Sequence, residues 1–207
     1  MTIKILNLYA GLGGNRKLWE GDIKVTAIEK DPKIAKVHKE LFPQDEVIVT
    51  DAHEYLLDHF KEFDFIWSSP PCPTHSDIRR CGVNRGIFDA MYPEMSLYQE
   101  IILLKHFATD NCKWVVENVI PYYEPLIRAN RLGRHLFWSN YPITDTKQQS
   151  IREVNHDRIT SSDKIYGFDV ADADLDDKRK TLRNLVDPKI GLHIFNMAFK
   201  NKQEVLL

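Results

Sequence analysis

The chain has 207 residues, of which 43% are hydrophobic and 28% charged, a size and composition that predict one domain with a single sizeable core rather than two full domains. The formal net charge of -2 argues against a general polyanion binder, so any contact with nucleic acid requires a local basic surface. Three cysteines cannot all pair, and no apolar N-terminal stretch resembles a signal peptide or a membrane span. We therefore expect a reduced, cytoplasmic protein that does not contact membranes.

Short apolar runs alternate with amphipathic segments through much of the chain. The apolar runs predict strands over residues 4–9, 24–28, 47–49, 63–67 and 114–116. The amphipathic segments predict a helix that follows the glycine turn at 10–14 and runs through residue 19, and helices over residues 32–42, 52–60 and 96–109. This β-α repetition predicts an α/β fold with a doubly wound, mostly parallel sheet, in which ligands bind beyond the carboxyl ends of the strands.

The first three predicted strands each end in residues suited to a nucleoside. The first is followed by a glycine turn that comprises Tyr9, Ala10, Gly11, Leu12, Gly13 and Gly14. Glycines let the backbone approach a ligand closely, whereas Glu29 can accept from ribose hydroxyls and Asp51 from an adenine amino group. Either acid alone could be a helix N-cap or a surface residue, but their joint placement favours the ligand site. No Lys-Ser/Thr phosphate loop follows the glycines, which disfavours a nucleoside triphosphate.

The fourth predicted strand leads into an unusual thiol. Pro70 and Pro71 fix the backbone as it leaves the strand and project the side chain of Cys72 toward the ligand crevice. We interpret Cys81 and Cys112 as small buried hydrophobic residues instead. The cysteines and His75 match no common metal-binding spacing, so the sequence predicts no metal site.

The fifth predicted strand ends in Glu117, Asn118 and Val119, an acid and an amide after an apolar run. Strands four and five should be neighbours, which brings the Glu117 carboxyl and the Cys72 thiol to one pocket. A nucleophile paired with a general acid is the best interpretation of the two groups.

In combination these motifs resemble, in order and spacing, those of DNA cytosine-5 methyltransferases over about residues 3–140. The resemblance implies a Rossmann-like class I methyltransferase fold with S-adenosylmethionine as cofactor, with Glu29 on the ribose and Asp51 on the adenine. The cofactor-binding residues implied are Tyr9, Ala10, Gly11, Leu12, Gly13, Gly14, Glu29, Lys30, Asp51, Ala52 and Pro70.

The resemblance also implies a mechanism. The Cys72 thiolate adds to C6 of a cytosine flipped out of duplex DNA, Glu117 donates a proton at N3, and C5 then takes the methyl group. Arg134 is the candidate for binding the cytosine O2, with Arg131 or His135 as alternatives. The segment after Cys72 resembles the mobile loop that closes over the flipped base, and its implied DNA-binding residues, together with Arg131, are Ser76, Arg79 and Arg80.

Two departures from the family pattern concern DNA contacts. Pro73 replaces the glutamine usual after the nucleophile. The second departure is the small size of the target-recognition region. The chain divides into a catalytic domain at 1–140, a much reduced target-recognition insert at 141–182 and a segment at 183–207 that returns to the catalytic domain. The insert carries the basic residues Arg152, His156, Arg158 and Lys164, followed by an acidic run from Asp169 to Asp177. We expect a short or relaxed target sequence, or one completed by a partner subunit or a second copy.

Three alternatives stay open from the sequence. The substrate could be RNA, including transfer RNA, instead of double-stranded DNA, because so small an insert does not decide between them. The chain could also be a catalytically weak nucleic-acid-binding member that needs a partner; a dehydrogenase is a distant third, since hydride transfer has no clear use for the thiol and the acid. The small size suits a phage or prokaryotic methyltransferase, for example one in restriction-modification.

Overall fold

The computed structural model describes residues 2–144 and 165–199. Within these ranges the strands are β1 (Ile3–Leu8), β2 (Ile23–Glu29), β3 (Glu46–Val49), β4 (Phe65–Ser68), β5 (Lys113–Val119), β6 (Asn130–Leu132) and β7 (His135–Ser139). The helices are α1 (Pro32–Leu41), α2 (Ala52–His59), α3 (Asp77–Asn84), α4 (Ser96–Phe107), α5 (Lys178–Arg183) and α6 (Pro188–Phe199). No helix in these two ranges has both the length and the apolar character that a membrane crossing requires.

The seven strands form one sheet in the order β3-β2-β1-β4-β5-β7-β6. Strands β1 to β5 are parallel, whereas β7 runs antiparallel to both β5 and β6. The predicted doubly wound, mostly parallel sheet is confirmed. After β3 the chain crosses to the other side of β1 to form β4, so the crevice between the carboxyl ends of β1 and β4 is where such a sheet binds its ligand.

Apolar side chains cover both faces of the central strands. On one face Leu56 of α2 and Ile101 of α4 pack with Leu6. On the other, Ile194 and Phe195 of α6 pack with strand residues that include Ile5, Phe65 and Trp67. Because β1 and β4 are buried on both sides, their sequences are continuous apolar runs, and only their carboxyl ends are left for polar chemistry.

The prediction of a helix from the glycines through residue 19 is wrong. Residues 14–18 form successive turns, with the amides of Arg16 and Trp19 donating to the carbonyls three residues earlier. The Arg16 guanidinium is buried and pairs with Asp45 at 3.0 Å. Gly14 packs against the backbone of Val186, where an added Cβ would lie 2.5 Å from the carbonyl oxygen. Tertiary contacts of this short segment therefore override its helical pattern.

The second half of the predicted target-recognition insert packs on the catalytic domain. Phe168 and Val170 lie in one apolar cluster with Leu12 of the glycine turn and Val37 of α1. Lys33 of α1 pairs with two members of the acidic run, Asp174 at 3.3 Å and Asp176 at 2.6 Å. The basic residues of the insert, Arg152, His156, Arg158 and Lys164, lie outside the described residues.

Candidate active site

Of the glycines at 11, 13 and 14, Gly11 has the most free space around its Cα. Tyr9, Gly11 and Gly13 all have positive φ angles, of 54°, 54° and 80°. A Cβ added to Gly13 would lie 2.5 Å from the ring of Phe42, whereas one added to Gly11 would meet no heavy atom closer than 4.0 Å. Gly13 is thus required by packing, and Gly11 borders space into which a ligand fits.

Glu29 links the end of β2 to this turn. Its Oε2 accepts a hydrogen bond from the Gly11 amide and its Oε1 accepts one from the Asp31 amide, both at 2.9 Å. The side chain is half-buried. Because each carboxylate oxygen has two lone pairs, Glu29 retains acceptor capacity for hydroxyl groups in the crevice.

Asp51 caps α2 as well as facing the crevice. Its Oδ1 accepts from the amides of His53 and Glu54, at 2.9 and 3.3 Å. Its Oδ2 lies 3.0 Å from Nζ of the exposed Lys30, and this hydrogen bond is the main reason that the pKa of Asp51 is lowered. The N-cap alternative considered for Asp51 describes its contacts, yet 34% of the side chain remains exposed. Asp51 can therefore cap α2 and contact a ligand at the same time.

The Pro-Pro-Cys segment is held between β4 and β5. Nδ2 of Asn118, which is buried, donates to the carbonyl of Pro70 at 2.9 Å. Beyond it, the amides of His75 and Ser76 both donate to the carbonyl of Cys72, at 3.0 and 3.1 Å. The side-chain amide of Asn118, the residue after Glu117, therefore fixes the backbone that carries the Cys72 thiol.

The Glu117 carboxyl is close enough to the half-buried Cys72 thiol to affect its ionisation. Burial raises the pKa of Cys72, and the charge of Glu117 raises it further. The positive charges of Arg134 and Lys180 oppose this effect and favour the thiolate. The nucleophile and acid that the sequence predicts to share a pocket are thus neighbours, and two cations belong to the same surroundings.

Glu117 is a buried carboxyl whose pKa lies close to neutral pH. Burial raises its pKa from an ordinary 4.5 to about 7, against the opposing effects of a hydrogen bond from Ser69 and the charge of Arg134. Nε2 of His135 lies 3.5 Å from Oε1 of Glu117. A carboxyl with such a pKa can donate a proton at neutral pH.

The three candidates for the cytosine O2 differ in their surroundings. Nη2 of Arg134 donates to the carbonyls of Arg183 and Leu185, at 3.2 and 3.4 Å, so the C-terminal segment holds it. Arg131 is exposed and its Nε donates to the carbonyl of Gly133 in its own hairpin. His135 contacts Glu117. Arg134 alone of the three lowers the pKa of both Cys72 and Glu117.

The segment after Cys72 is partly helical. Ser76 caps α3 by accepting from the amide of Arg79, whose side chain bonds the carbonyl of Asp89 at 2.9 Å. Arg80 is exposed and pairs with Asp77 within α3 at 2.7 Å. Arg79 and Arg80, which are predicted to meet phosphates, thus both lie on α3, and each already has a partner within this segment.

The other two cysteines have different environments. Cys112 is buried, as predicted. The interpretation of Cys81 as buried is wrong, because α3 lies at the surface and leaves this thiol half-exposed, with Sγ 3.8 Å from Oδ2 of Asp77. Within residues 2–144 and 165–199, no cluster of three or more His, Cys, Asp or Glu side chains is arranged to hold a metal ion.

Sequence reasoning missed one side chain at the crevice, the fully buried Glu100 of α4. Its carboxylate is bonded by Tyr9, His53 and Ser68. The signal was available, because Glu100 falls on the apolar face of a helix whose inward residues include Leu97, Ile101 and Leu104. A carboxylate at such a position requires buried partners.

The sheet order, with an antiparallel β7 between β5 and β6, defines a Rossmann-like S-adenosylmethionine-dependent methyltransferase fold. Within that class, the sequence model of the C-5 cytosine-specific DNA methylase family matches residues 3–102. This part of the chain, from β1 into α4, is therefore similar to the DNA cytosine-5-methyltransferase family that its motifs resemble. It includes Cys72 and ends before Glu117.

Solved structures resemble the chain at low identity. A hypothetical protein from Thermus thermophilus is 19% identical with a TM-score of 0.45, over 66% of this chain and 73% of that one. A protein of Haemophilus influenzae provisionally described as a methylase is 21% identical with a TM-score of 0.43, over 67% and 78%. A SAM-dependent methyltransferase from Agrobacterium tumefaciens is 13% identical with a TM-score of 0.41, over 59% and 40%. Comparison with curated protein sequences gave no match.

S-adenosylmethionine is the cofactor of this fold and family, and the crevice fits it. Space is open beside Gly11, and two incompletely buried carboxylates, Glu29 and Asp51, offer acceptors to the hydroxyl and amino groups of a nucleoside. The polar groups of the crevice thus match those of the cofactor.

Proposed function

We propose that this methyltransferase acts on C5 of cytosine in double-stranded DNA, through a covalent bond between Sγ of Cys72 and C6 of a flipped-out base. The observation that carries the proposal is that β5 holds the Pro-Pro-Cys segment through Asn118, at 2.9 Å from the Pro70 carbonyl, beside a buried Glu117 whose pKa is raised to about 7 and whose charge acts on the Cys72 thiol. The family match over residues 3–102 supports the choice of cytosine and of DNA.

Cys72 supplies the nucleophile. C5 of cytosine is too weak a nucleophile by itself, and the thiolate overcomes this by forming the Sγ–C6 bond, which moves the C5=C6 electron pair so that C5 becomes nucleophilic. The cofactor, when bound, supplies an electrophilic methyl group. Transfer of the C5 proton to water leaves its electron pair to re-form the C5=C6 bond, the Sγ–C6 bond breaks to return the Cys72 thiolate, and the ring is restored with the methyl group in place of hydrogen.

Glu117 supplies the proton that stabilises this adduct. Its carboxyl donates to N3 as electron density builds on the ring, and it takes the proton back as the ring is restored. A protonated Glu117 also removes the negative charge that opposes ionisation of Cys72. The two groups therefore share one proton between them in the reactive form.

Arg134 is assigned to the cytosine O2. Its guanidinium has donors beyond those used on the carbonyls of Arg183 and Leu185, and its charge already acts on both reacting side chains. His135 is assigned to hold Glu117, with which it is in contact, and Arg131 to the DNA backbone.

Recognition of the target falls on a small part of the chain. Phe168 and Val170 pack on α1 and the glycine turn, and Tyr141 and Ile143 are buried in the core, so the described part of the insert offers little surface for reading bases. We infer a short or relaxed target sequence, or one that a partner subunit or a second copy completes. Mapping of methylated sites after treatment of genomic DNA with the lone chain tests this, and a long, stringent site would refute it.

Trapping tests the covalent step. Duplex DNA with 5-fluorocytosine should form a stable adduct with the native chain in the presence of S-adenosylmethionine, because fluorine cannot leave C5 as a proton does. Cys72→Ser should form none, whereas Cys81→Ser, at the other half-exposed thiol, should form as much as the native chain. An adduct with Cys72→Ser would refute the assigned nucleophile, and an adduct on fluorocytosine RNA alone would move the substrate to RNA.

A further inference from the structure

One buried carboxylate joins three separate elements at the crevice. Glu100 of α4 is 0% exposed. Its Oε1 accepts from the Tyr9 hydroxyl at 2.6 Å, and its Oε2 accepts from the Ser68 hydroxyl at 2.5 Å. Nδ1 of His53 lies 2.9 Å from Oε1, and this hydrogen bond raises the pKa of His53 and makes Nδ1 a donor. Three donors thus satisfy a charge whose burial would otherwise be strongly unfavourable.

The three donors belong to the two halves of the site. Tyr9 begins the glycine turn, and His53 is two residues beyond Asp51, so both lie beside the cofactor residues. Ser68 is the last residue of β4, four positions before Cys72. Glu100 is therefore hydrogen-bonded to side chains of both the segment that carries the cofactor turn and the segment that leads to Cys72.

The bond to Tyr9 has a particular importance. Tyr9 has a φ of 54°, a left-handed conformation that is unfavourable for a bulky residue. The hydroxyl of Tyr9 is anchored by Glu100, and the Ala10 amide that follows donates to the carbonyl of Ile28 at 2.9 Å. Removal of the anchor frees Tyr9 to relax and the glycine turn to move with it.

We propose that Glu100 is a positioning residue that fixes the cofactor turn and the Cys72 segment relative to each other. It contacts neither the cofactor nor the cytosine, and acts through Tyr9 and Ser68. The inference rests on the proposed function for the identity of the two halves of the site.

Single substitutions separate the hydrogen bond of Glu100 to the cofactor turn from its hydrogen bond to the Cys72 segment. Tyr9→Phe removes only the hydroxyl on the cofactor side, and Ser68→Ala removes only the one on the nucleophile side. Glu100→Gln acts on both, and Glu40→Gln, an exposed acid on α1, is the matched control. Two quantities are measured: the Kd for S-adenosylmethionine by calorimetry, and the rate at which iodoacetamide alkylates Cys72, followed by mass spectrometry of its peptide.

The expected results differ between the substitution on the cofactor side and the one on the nucleophile side. Tyr9→Phe should raise the Kd about tenfold and leave the alkylation rate unchanged, since loss of a hydrogen bond to a charged group has this magnitude. Ser68→Ala should change the alkylation rate several-fold and leave the Kd for S-adenosylmethionine at its native value. Glu100→Gln should change both quantities, and Glu40→Gln should change neither.

A merely structural role would lower the melting temperature without this split. If Tyr9→Phe and Ser68→Ala change only the melting temperature, the proposal is overturned, and this holds even if Glu100→Gln does not fold. Neither readout uses nucleic acid, so failure to methylate DNA would refute the proposed function and leave this test intact.

Discussion

Glu117 and His135 are diagonal neighbours on the antiparallel strands β5 and β7, with Oε1 of the acid 3.5 Å from Nε2 of the imidazole and both side chains 8% exposed. Glu117 is one strand position away from Asn118, which binds the carbonyl of Pro70. Glu117, the proposed proton donor, is thus contacted from β7, and the next residue of β5 holds the segment that carries Cys72.

Substitution of Glu117 by glutamine should stabilise the fold at alkaline pH. A carboxyl whose pKa is raised on folding binds more protons in the native state, so its effect on stability becomes less favourable as the pH rises from 4.5 to about 7. That rise corresponds to at most about 3 kcal/mol. Urea unfolding should therefore find Glu117→Gln more stable than the native chain at pH 8 and little different at pH 4.5. Equal stabilities at pH 8 would contradict the raised pKa.

The same substitution should change the pH dependence of methyl transfer. The reactive form carries one proton on the Glu117–Cys72 pair, so the native rate should rise through about pH 7 and fall again above the raised pKa of Cys72. Glu117→Gln should lose about 10² to 10⁴ in kcat and show no alkaline fall, because only the thiol titrates. Rates across pH 6 to about 10.5 check this; an alkaline fall retained in the variant would assign it to another group.

His135→Phe should lower kcat with little change in the Kd for S-adenosylmethionine. Phenylalanine keeps a ring near Phe137, with which the imidazole now packs edge-to-face, but it removes the contact with Glu117. We expect a loss of about tenfold, the size usual for the loss of one polar contact. His135→Gln restores a polar partner and should recover part of the rate. A larger effect on the Kd than on kcat would contradict the assignment.

Alanine at two positions of the glycine turn should affect different properties, mainly stability at Gly13 and mainly cofactor binding at Gly11. Gly13→Ala places a Cβ 2.5 Å from the Phe42 ring and should destabilise the fold by about 1–3 kcal/mol through overpacking. Gly11→Ala meets open space, so it should cost only about 1 kcal/mol from its φ of 54° while it weakens cofactor binding by intruding on the ligand side. Thermal unfolding and calorimetry separate the two. A Gly11→Ala variant with native cofactor affinity would place the cofactor elsewhere.

Local sequence patterns predicted the elements whose burial is simple. The apolar runs of β1 and β4 and the β-α repetition gave the parallel sheet, because strands covered on both faces have few alternatives. The turns around Arg16 and the contact of Phe168 with Leu12 were not predictable, since both depend on partners distant in sequence: Asp45 for the arginine, and the glycine turn for the insert. Glu100 was missed for a different reason, because its three partners lie on separate elements although its place on an apolar helix face was visible.

Transfer of labelled methyl from S-adenosylmethionine to unmodified duplex DNA, followed by nucleoside analysis, tests the central claim most directly. The native chain and Cys81→Ser should both yield labelled 5-methylcytosine, and Cys72→Ala should yield none while it still binds the cofactor. Label in another nucleoside, or 5-methylcytosine from Cys72→Ala, would contradict the proposed reaction and its nucleophile.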